Sequence, residues 1–371
     1  MSKKVAQFTN RFLDISETFI YEPLRLMKKF KPVVFCFQKR NQDKFPYDSI
    51  YCLNDLPEKE QKKNQFLAAF GQEKYFTNLI KQNEIRVLHA HYGFGGIYAL
   101  QFKKKNSNLK IIVNFYGLDV YQHTKSPLYR WQLRQLFKKG DLFLVCSEKM
   151  SQDLIKLGAP KNKVKVHYGG ADLKKIKYSC PKQGDEIVFL MCGRFVEKKG
   201  FKYGIEAFLR CCAKNNNIKL KVIGHGTLEQ ALKKIVTQSK YQNRVEFLGA
   251  LNHSEYLTEI EKCNVFISPS VTAKNGDQEG LPTVLIESAA IGRPLIATNY
   301  SGIPEIVHHK QNGLLVKEQD IAGLSAAIDY LAENKKLWSR YAEYGRKLVE
   351  KNFDLIKQTE KLEEYYQKLI E

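Results

Sequence analysis

Short apolar runs alternate with helical patterns along the whole of this 371-residue chain, and that alternation limits the fold more than any other feature. "KVAQF" near residue 5, "VVFCF" at 33, "IRVLHAH" at 85, "KIIVNF" at 110, "LFLVCS" at 142 and "KVKVHY" at 163 read as buried strands. Helical periodicity fits residues 16–29, 66–81 and 128–138 between them. Continuous apolar strands separated by helices predict a parallel sheet covered on both faces. The pattern breaks at "YSCPKQGDE" (178–186), where Pro181 and Gly184 in a polar stretch suggest a linker. It then restarts with strands at 187, 219, 245, 265, 294 and 313, and helices over 201–213, 228–238, 254–262, 282–291 and 321–333. After Leu337 the chain reads as helical to its end.

The expectation is an α/β protein of two doubly wound halves, residues 1–180 and 181–350, facing a central cleft near the carboxyl ends of the strands. A last helix, 351–371, is expected to cross back to the first half. No apolar run reaches the ~20 residues needed to span a bilayer. The opening "MSKKVAQFTN" lacks the apolar core and cleavage site of a signal peptide, so a cytoplasmic protein is expected. The eight cysteines form no C-x-x-C pair, which fits free thiols better than disulfides or zinc.

Charge is unevenly spread. Residues 1–182 hold 34 Lys and Arg against 15 Asp and Glu, a net +19 of the total +21. Such asymmetry points to a polyanionic partner for the first half only, either nucleic acid or an anionic membrane face. No recognition motif of a nucleic-acid module is present, and no specific nucleic acid is expected.

The second half carries the chemistry. In "DQEGLPTVLIE" (277–287), Pro282 suits a first helical position. Glu279 then lies just before the helix and Glu287 inside it. Carboxylates bind vicinal diols, and a helix start binds phosphate. "CGRFVEKKG" (192–200) places Arg194 and Lys199 at a strand's carboxyl end, where a planar fork and a mobile point charge suit phosphate oxygens. "VIGHGTLEQAL" (222–232) adds a glycine turn, Gly224 and Gly226, at the same sheet edge. There is no Asp-x-Asp, so neither a metal nor another cofactor is expected.

With these motifs together, the chain resembles the retaining family 4 glycosyltransferases of GT-B fold, and within them the bacterial exopolysaccharide and colanic-acid branch. The E-x7-E motif matches Glu279 and Glu287, the diphosphate clamp matches "GRFVEKKG", and G-x-G-x-L-E matches "GHGTLE". The resemblance implies that Glu279 contacts the donor sugar and Glu287 the ribose, with Arg194 and Lys199 on the diphosphate. Gly280, Leu281, Pro282 and Thr283 would lie beside the diphosphate with Gly224 and Gly226. It implies a hexose moved from a nucleotide diphosphate sugar, UDP-linked or GDP-mannose, with the donor phosphate as base. The acceptor would be a glycan or polyprenyl-diphosphate-linked saccharide at the cytoplasmic membrane face. A noncatalytic sugar-nucleotide binder and a basic nucleic-acid binder are the alternatives.

The first half would then bind the acceptor. "FLDISETFI" (12–20) resembles the branch's S-E-T-F-I signature, which implies acceptor contacts by Ser16, Glu17 and Thr18; Ser16 also reads as a helix N-cap. "VLHAHYGFGG" (87–96) sets His91 at a strand end before a glycine turn, with His89 as either a packed or a functional histidine. "VNFYGLDV" (113–120) matches the family's F-H-G-x-D with Tyr116 in place of the histidine and Asp119 retained, so Tyr116 or His91 is expected to take the donor-facing role. Basic stretches, above all "LYRWQLRQLFKKG" (128–140), suit an anionic membrane surface.

Overall fold

The computed structural model describes residues 3–371, which form two compact units. The first runs to Tyr168 and takes back Ile356–Glu371; the second is Gly169–Leu355.

The first unit holds a seven-stranded, wholly parallel sheet. Its strands are β1 (Lys3–Phe12), β2 (Phe30–Lys39), β3 (Ile50–Cys52), β4 (Val87–His91), β5 (Lys110–Phe115), β6 (Leu142–Val145) and β7 (Val164–Val166). Their order is β3-β2-β1-β4-β5-β6-β7. Central strands are buried on both faces, which is why β4 and β5 are apolar apart from His89, His91, Lys110 and Asn114. The second unit repeats the plan with six strands: β8 (Ile187–Cys192), β9 (Ile218–Ile223), β10 (Val245–Gly249), β11 (Val265–Ser268), β12 (Leu295–Thr298) and β13 (Gly313–Val316). Their order, β10-β9-β8-β11-β12-β13, reverses direction between β8 and β11, the usual place for a ligand in a doubly wound sheet.

Three expectations change in detail. Residues 66–81 form two helices, Glu58–Ala69 and Tyr75–Gln82. The break is made by Glu73, whose buried carboxylate accepts the amides of Phe76 (2.7 Å) and Thr77 (3.0 Å) and so starts the second helix. No glycine turn follows His91: the helix Gly93–Lys105 begins immediately after Tyr92. Nor is 178–186 a loose linker, because Arg293, 2% exposed, bonds both the carbonyl and the hydroxyl of Ser179 and straps the segment to the second unit.

The chain leaves the second unit after Leu355, the first residue of the last helix, Leu355–Ile370, which follows the helix Trp338–Asn352. On the last helix Leu362, Tyr366 and Ile370 recur every four residues and pack with Val5, Phe30, Val87, Ile112, Leu142 and Leu144 of the first sheet. Next to them, Glu363 accepts the amides of Lys28, Lys29 and Phe30 at 2.6–3.0 Å. The helix is therefore part of the first unit's core.

Candidate active site

In the second unit the loop after β11 leads to the helix Thr283–Ile291, seven of whose residues are buried, with Gly292 in the left-handed conformation closing it. Pro282 is one residue earlier than expected: it occupies the N-cap in extended conformation, and Thr283 is the first helical residue. The first-turn amides have no acceptor inside the helix, as at any helix start. The preceding loop is fixed by the segment after β12: Tyr300's hydroxyl accepts the Glu279 amide at 3.0 Å, and Ser301 donates to the Glu279 carbonyl at 2.6 Å.

Glu279 is the centre of the cluster. Its Oε2 stands 3.3 Å from Lys199 Nζ and its Oε1 3.6 Å from Lys198 Nζ. Lys198 also reaches Asp277, at 3.1 Å. Burial alone would raise the Glu279 carboxyl, but Lys199 and Lys198, with Arg194 behind them, hold it at about 2. Its Oε1 is buried and accepts no hydrogen bond from any described residue. Arg194 is exposed and makes no ion pair among the described residues. On the helix, Glu287 accepts His253 Nε2 at 2.8 Å.

The glycines of the neighbouring loops serve close packing. At Gly224 (φ +143°) a Cβ would lie 1.9 Å from the Gly193 carbonyl oxygen, and Gly226 packs on the Phe195 backbone in the same way. Phe195 N donates to the His225 carbonyl at 2.8 Å, so "GHGTLE" is seated directly on "GRFVEKKG". Gly200 (φ +63°) fits only because it has no side chain, since a Cβ would meet the Pro269 oxygen at 1.8 Å. These contacts bring Arg194, Lys198 and Lys199 to the acidic loop.

The first unit presents a different kind of site. The hydroxyl of Tyr116 donates to His91 Nδ1 at 2.7 Å, and His91 Nε2 meets Gln7 Oε1 at 3.1 Å. Gln7 donates to Tyr366 at 3.0 Å, Tyr366 meets His89 Nδ1 at 2.6 Å, and His89 Nε2 meets Asn114 at 3.0 Å. The acceptors fix both imidazoles as Nε2–H tautomers. Burial, then the neighbouring His89, keeps His91 well below its usual pKa and hence neutral. Asp119 is fully buried and accepts the amides of Gly93, Tyr116 and Gly117, so it organises the loop rather than facing a ligand. Ser16 is exposed and does not cap the helix: Glu17 holds the N-cap position before Thr18, and its carboxylate accepts the Tyr92 hydroxyl at 2.7 Å.

The model for glycosyl transferases group 1 matches residues 173–348, and that for glycosyltransferase family 4 matches residues 24–175. This chain belongs to the family 4 glycosyltransferases. A protein of Escherichia coli (strain K12) named as the colanic acid biosynthesis glycosyltransferase WcaL is 32% identical over 65% of this chain and 60% of that protein. The amylovoran biosynthesis glycosyltransferase AmsK of Erwinia amylovora is 28% identical over 66% and 61%. The chain thus spans about 60% of the length of these relatives. Among solved structures, Anabaena Alr3699/HepE in complex with UDP-glucose has a TM-score of 0.80 at 17% identity, covering 98% of this chain and 99% of that one. A glycosyltransferase from Rickettsia africae has 0.81 at 18%, covering 100% and 99%. At these identities the likeness shows the fold, which is GT-B.

Within this family 4 glycosyltransferase, Glu279 of the E-x7-E motif meets Lys199 and Lys198, while Glu287 meets His253. Three residues escaped the sequence reading. Lys198 stands inside "GRFVEKKG" with no partner in its own segment; His253 lies 34 residues before Glu287; Tyr366 lies on the terminal helix expected to cross back to the first half, but 277 residues from the His89 that it meets.

Proposed function

We propose that this family 4 glycosyltransferase is a retaining, metal-independent enzyme that moves a hexose from a nucleotide diphosphate sugar to a hydroxyl of a glycan or lipid-linked saccharide in cell-surface polysaccharide assembly. The observation that carries the reading is Glu279, an ionised and buried carboxylate between two lysines with one oxygen still free to accept a hydroxyl. Arg194 and Lys199 would hold the diphosphate, aided by the amides near Gly280, Leu281 and Thr283, and Glu287 would hold the ribose. As the glycosidic C–O bond breaks, the departing diphosphate gains negative charge that these prepositioned cations stabilise. The acceptor oxygen forms the new bond, and its proton passes to the departing phosphate oxygen. Glu279 is unsuited to take that proton, because a carboxyl titrating at about 2 is a very weak base at neutral pH. The Anabaena neighbour solved with UDP-glucose supports a UDP-sugar as donor, and the relatives named for colanic acid and amylovoran support the polysaccharide acceptor.

A membrane surface is the proposed place of work. Among the described residues no helix is long and apolar enough to cross a membrane. The helix Pro127–Lys139 buries Tyr129, Leu133, Leu136 and Phe137, and turns Trp131 (58% exposed) and Leu128 (64%) outward with Arg130, Arg134, Lys138 and Lys139. A tryptophan among basic residues suits an anionic lipid interface, at about 1 kcal/mol per cation near the surface.

The deciding experiment is a thermal-shift panel of UDP-sugars, GDP-mannose, UDP and GDP, followed by nucleoside diphosphate release. Stabilisation by one nucleotide class with slow release supports the enzyme. Stabilisation without any release in the presence of glycan acceptors would favour a noncatalytic binder, and no stabilisation at all would sink the sugar-nucleotide reading.

A further inference from the structure

A lysine beside a motif lysine ordinarily extends into solvent, yet Lys198 is only 9% exposed. Its Nζ is drawn inward between Asp277, at 3.1 Å and 3.2 Å to the two oxygens, and Glu279 Oε1 at 3.6 Å. Its backbone carbonyl accepts the Val271 amide at 2.8 Å, so the whole residue is tied to the strand-end loop opposite. Burying an ammonium is costly unless it is paired, and Asp277 supplies most of that pairing.

The two lysines on Glu279 are therefore not equivalent. Lys199 has Glu279 as its only ion-pair partner among the described residues, whereas Lys198 has an anchor of its own. A diphosphate carries more negative charge than a carboxylate and competes for the mobile cation. Arg194, exposed and unpaired, would meet it first, and Lys199 would follow by turning its flexible stem. Glu279 would then be left buried beside whichever cation stayed behind.

We propose that Lys198 is a positioning residue, anchored by Asp277, that holds the Glu279 carboxylate in place while Lys199 leaves it for the diphosphate. The proposal rests on the sugar-nucleotide reading of this site. It makes the ion pair between Lys199 and Glu279 a placeholder: the donor's phosphate takes the lysine, and its sugar takes the carboxylate. The Asp277–Lys198 pair is what keeps that exchange from displacing Glu279.

The test uses the full chain with Lys198→Met, Lys198→Arg, Asp277→Asn and Lys199→Met. UDP and GDP binding is measured by calorimetry, and turnover by release of UDP from UDP-glucose and GDP from GDP-mannose. Lys198→Met is expected to bind the nucleoside diphosphate within about 2-fold of the unmodified chain while kcat for release falls about 10-fold or more. Lys198→Arg should recover most of that loss, and Asp277→Asn should reproduce it in part, at about 3- to 10-fold. Lys199→Met, by contrast, should weaken nucleotide binding itself by about 10-fold. Unchanged kcat in Lys198→Met overturns the proposal. So does a loss of nucleotide affinity as large as that of Lys199→Met, because Lys198 would then be a phosphate ligand. If the unmodified chain binds neither nucleotide, the reading of the site falls and takes this proposal with it; normal nucleotide binding with normal Lys198→Met turnover removes the proposal alone.

Discussion

His91 and Tyr116 are joined by a 2.7 Å hydrogen bond in which the tyrosine hydroxyl donates to Nδ1. Tyr116 stands where the family pattern has a histidine, and its hydroxyl is already committed to another histidine in the same unit. Removing it leaves a buried imidazole nitrogen without a donor, which costs about 1–3 kcal/mol. Tyr116→Phe is therefore expected to lower the unfolding free energy of the first unit by that amount, and its denaturation midpoint with it, read from chemical denaturation followed by an N-terminal-unit probe. An unchanged midpoint would mean that the bond contributes nothing.

Glu279 offers a pH test. Its folded carboxyl titrates at about 2 against an ordinary 4.5. A carboxyl depressed on folding stabilises the protein above its unfolded value and loses that contribution as pH falls through the folded one. Glu279 thus adds on the order of 2–3 kcal/mol to the second unit at pH 6 and progressively less from about pH 5 down to pH 2. Urea unfolding of Glu279→Gln should lie well below the unmodified chain at pH 6, close part of the gap by pH 3 and approach it near pH 2. Parallel curves across that range would contradict the ion-pair geometry.

The buried histidines act with the opposite chemistry but in the same pH direction. Burial lowers His89 to about 3, despite its bond to Asn114. A base depressed on folding is neutral in the folded state, so its contribution is whole above about pH 6.5 and shrinks below it. At pH 5 the cost is about 2 kcal/mol. The first unit should lose stability between pH 7 and pH 5, and His89→Gln should make that slope shallower. A slope that the substitution leaves untouched would assign the acid sensitivity elsewhere.

Most of the architecture is legible because its signal is local. Most strands contain a short apolar run, and β8 to β13 fall where the pattern restarts after residue 186. The second unit's motifs are legible for the same reason, since Arg194, Lys199, Glu279 and Glu287 each stand at a fixed offset from a strand end or a helix start. What escapes depends on distant partners. Lys198 is buried only because Asp277, 79 residues later, receives it. The break between the helices of residues 58–82 depends on Glu73 folding back onto Phe76 and Thr77, supported by Asn64. Asp119 keeps its place in the family pattern, yet three amides consume its carboxylate, which no spacing reveals.

The terminal helix can be tested by removal. Leu362, Tyr366 and Ile370 are nearly or fully buried against the first sheet, and each is worth about 1.5–3 kcal/mol of burial. Ending the chain at Leu355 would also strip the Lys28, Lys29 and Phe30 amides of Glu363 and leave His89 and Gln7 without Tyr366. The first unit is expected to lose cooperative unfolding while the second retains its own transition. A truncated chain with two intact transitions would show the helix to be an accessory.

Glu287 is the last and most functional prediction. It is 6% exposed and accepts a bond from His253, a side chain that is itself 42% exposed. A ribose diol arriving at Glu287 would replace or share that donor, because a carboxylate offers about four acceptor positions. Glu287→Gln keeps the volume but can no longer accept from both hydroxyls of the diol. It should weaken binding of the nucleoside diphosphate about 10-fold and remove most of any preference for the ribo over the 2′-deoxy form, measured by calorimetry with UDP and dUDP. His253→Ala should preserve that preference, since it removes only the placeholder. Undiminished discrimination in Glu287→Gln would place the ribose elsewhere in the unit.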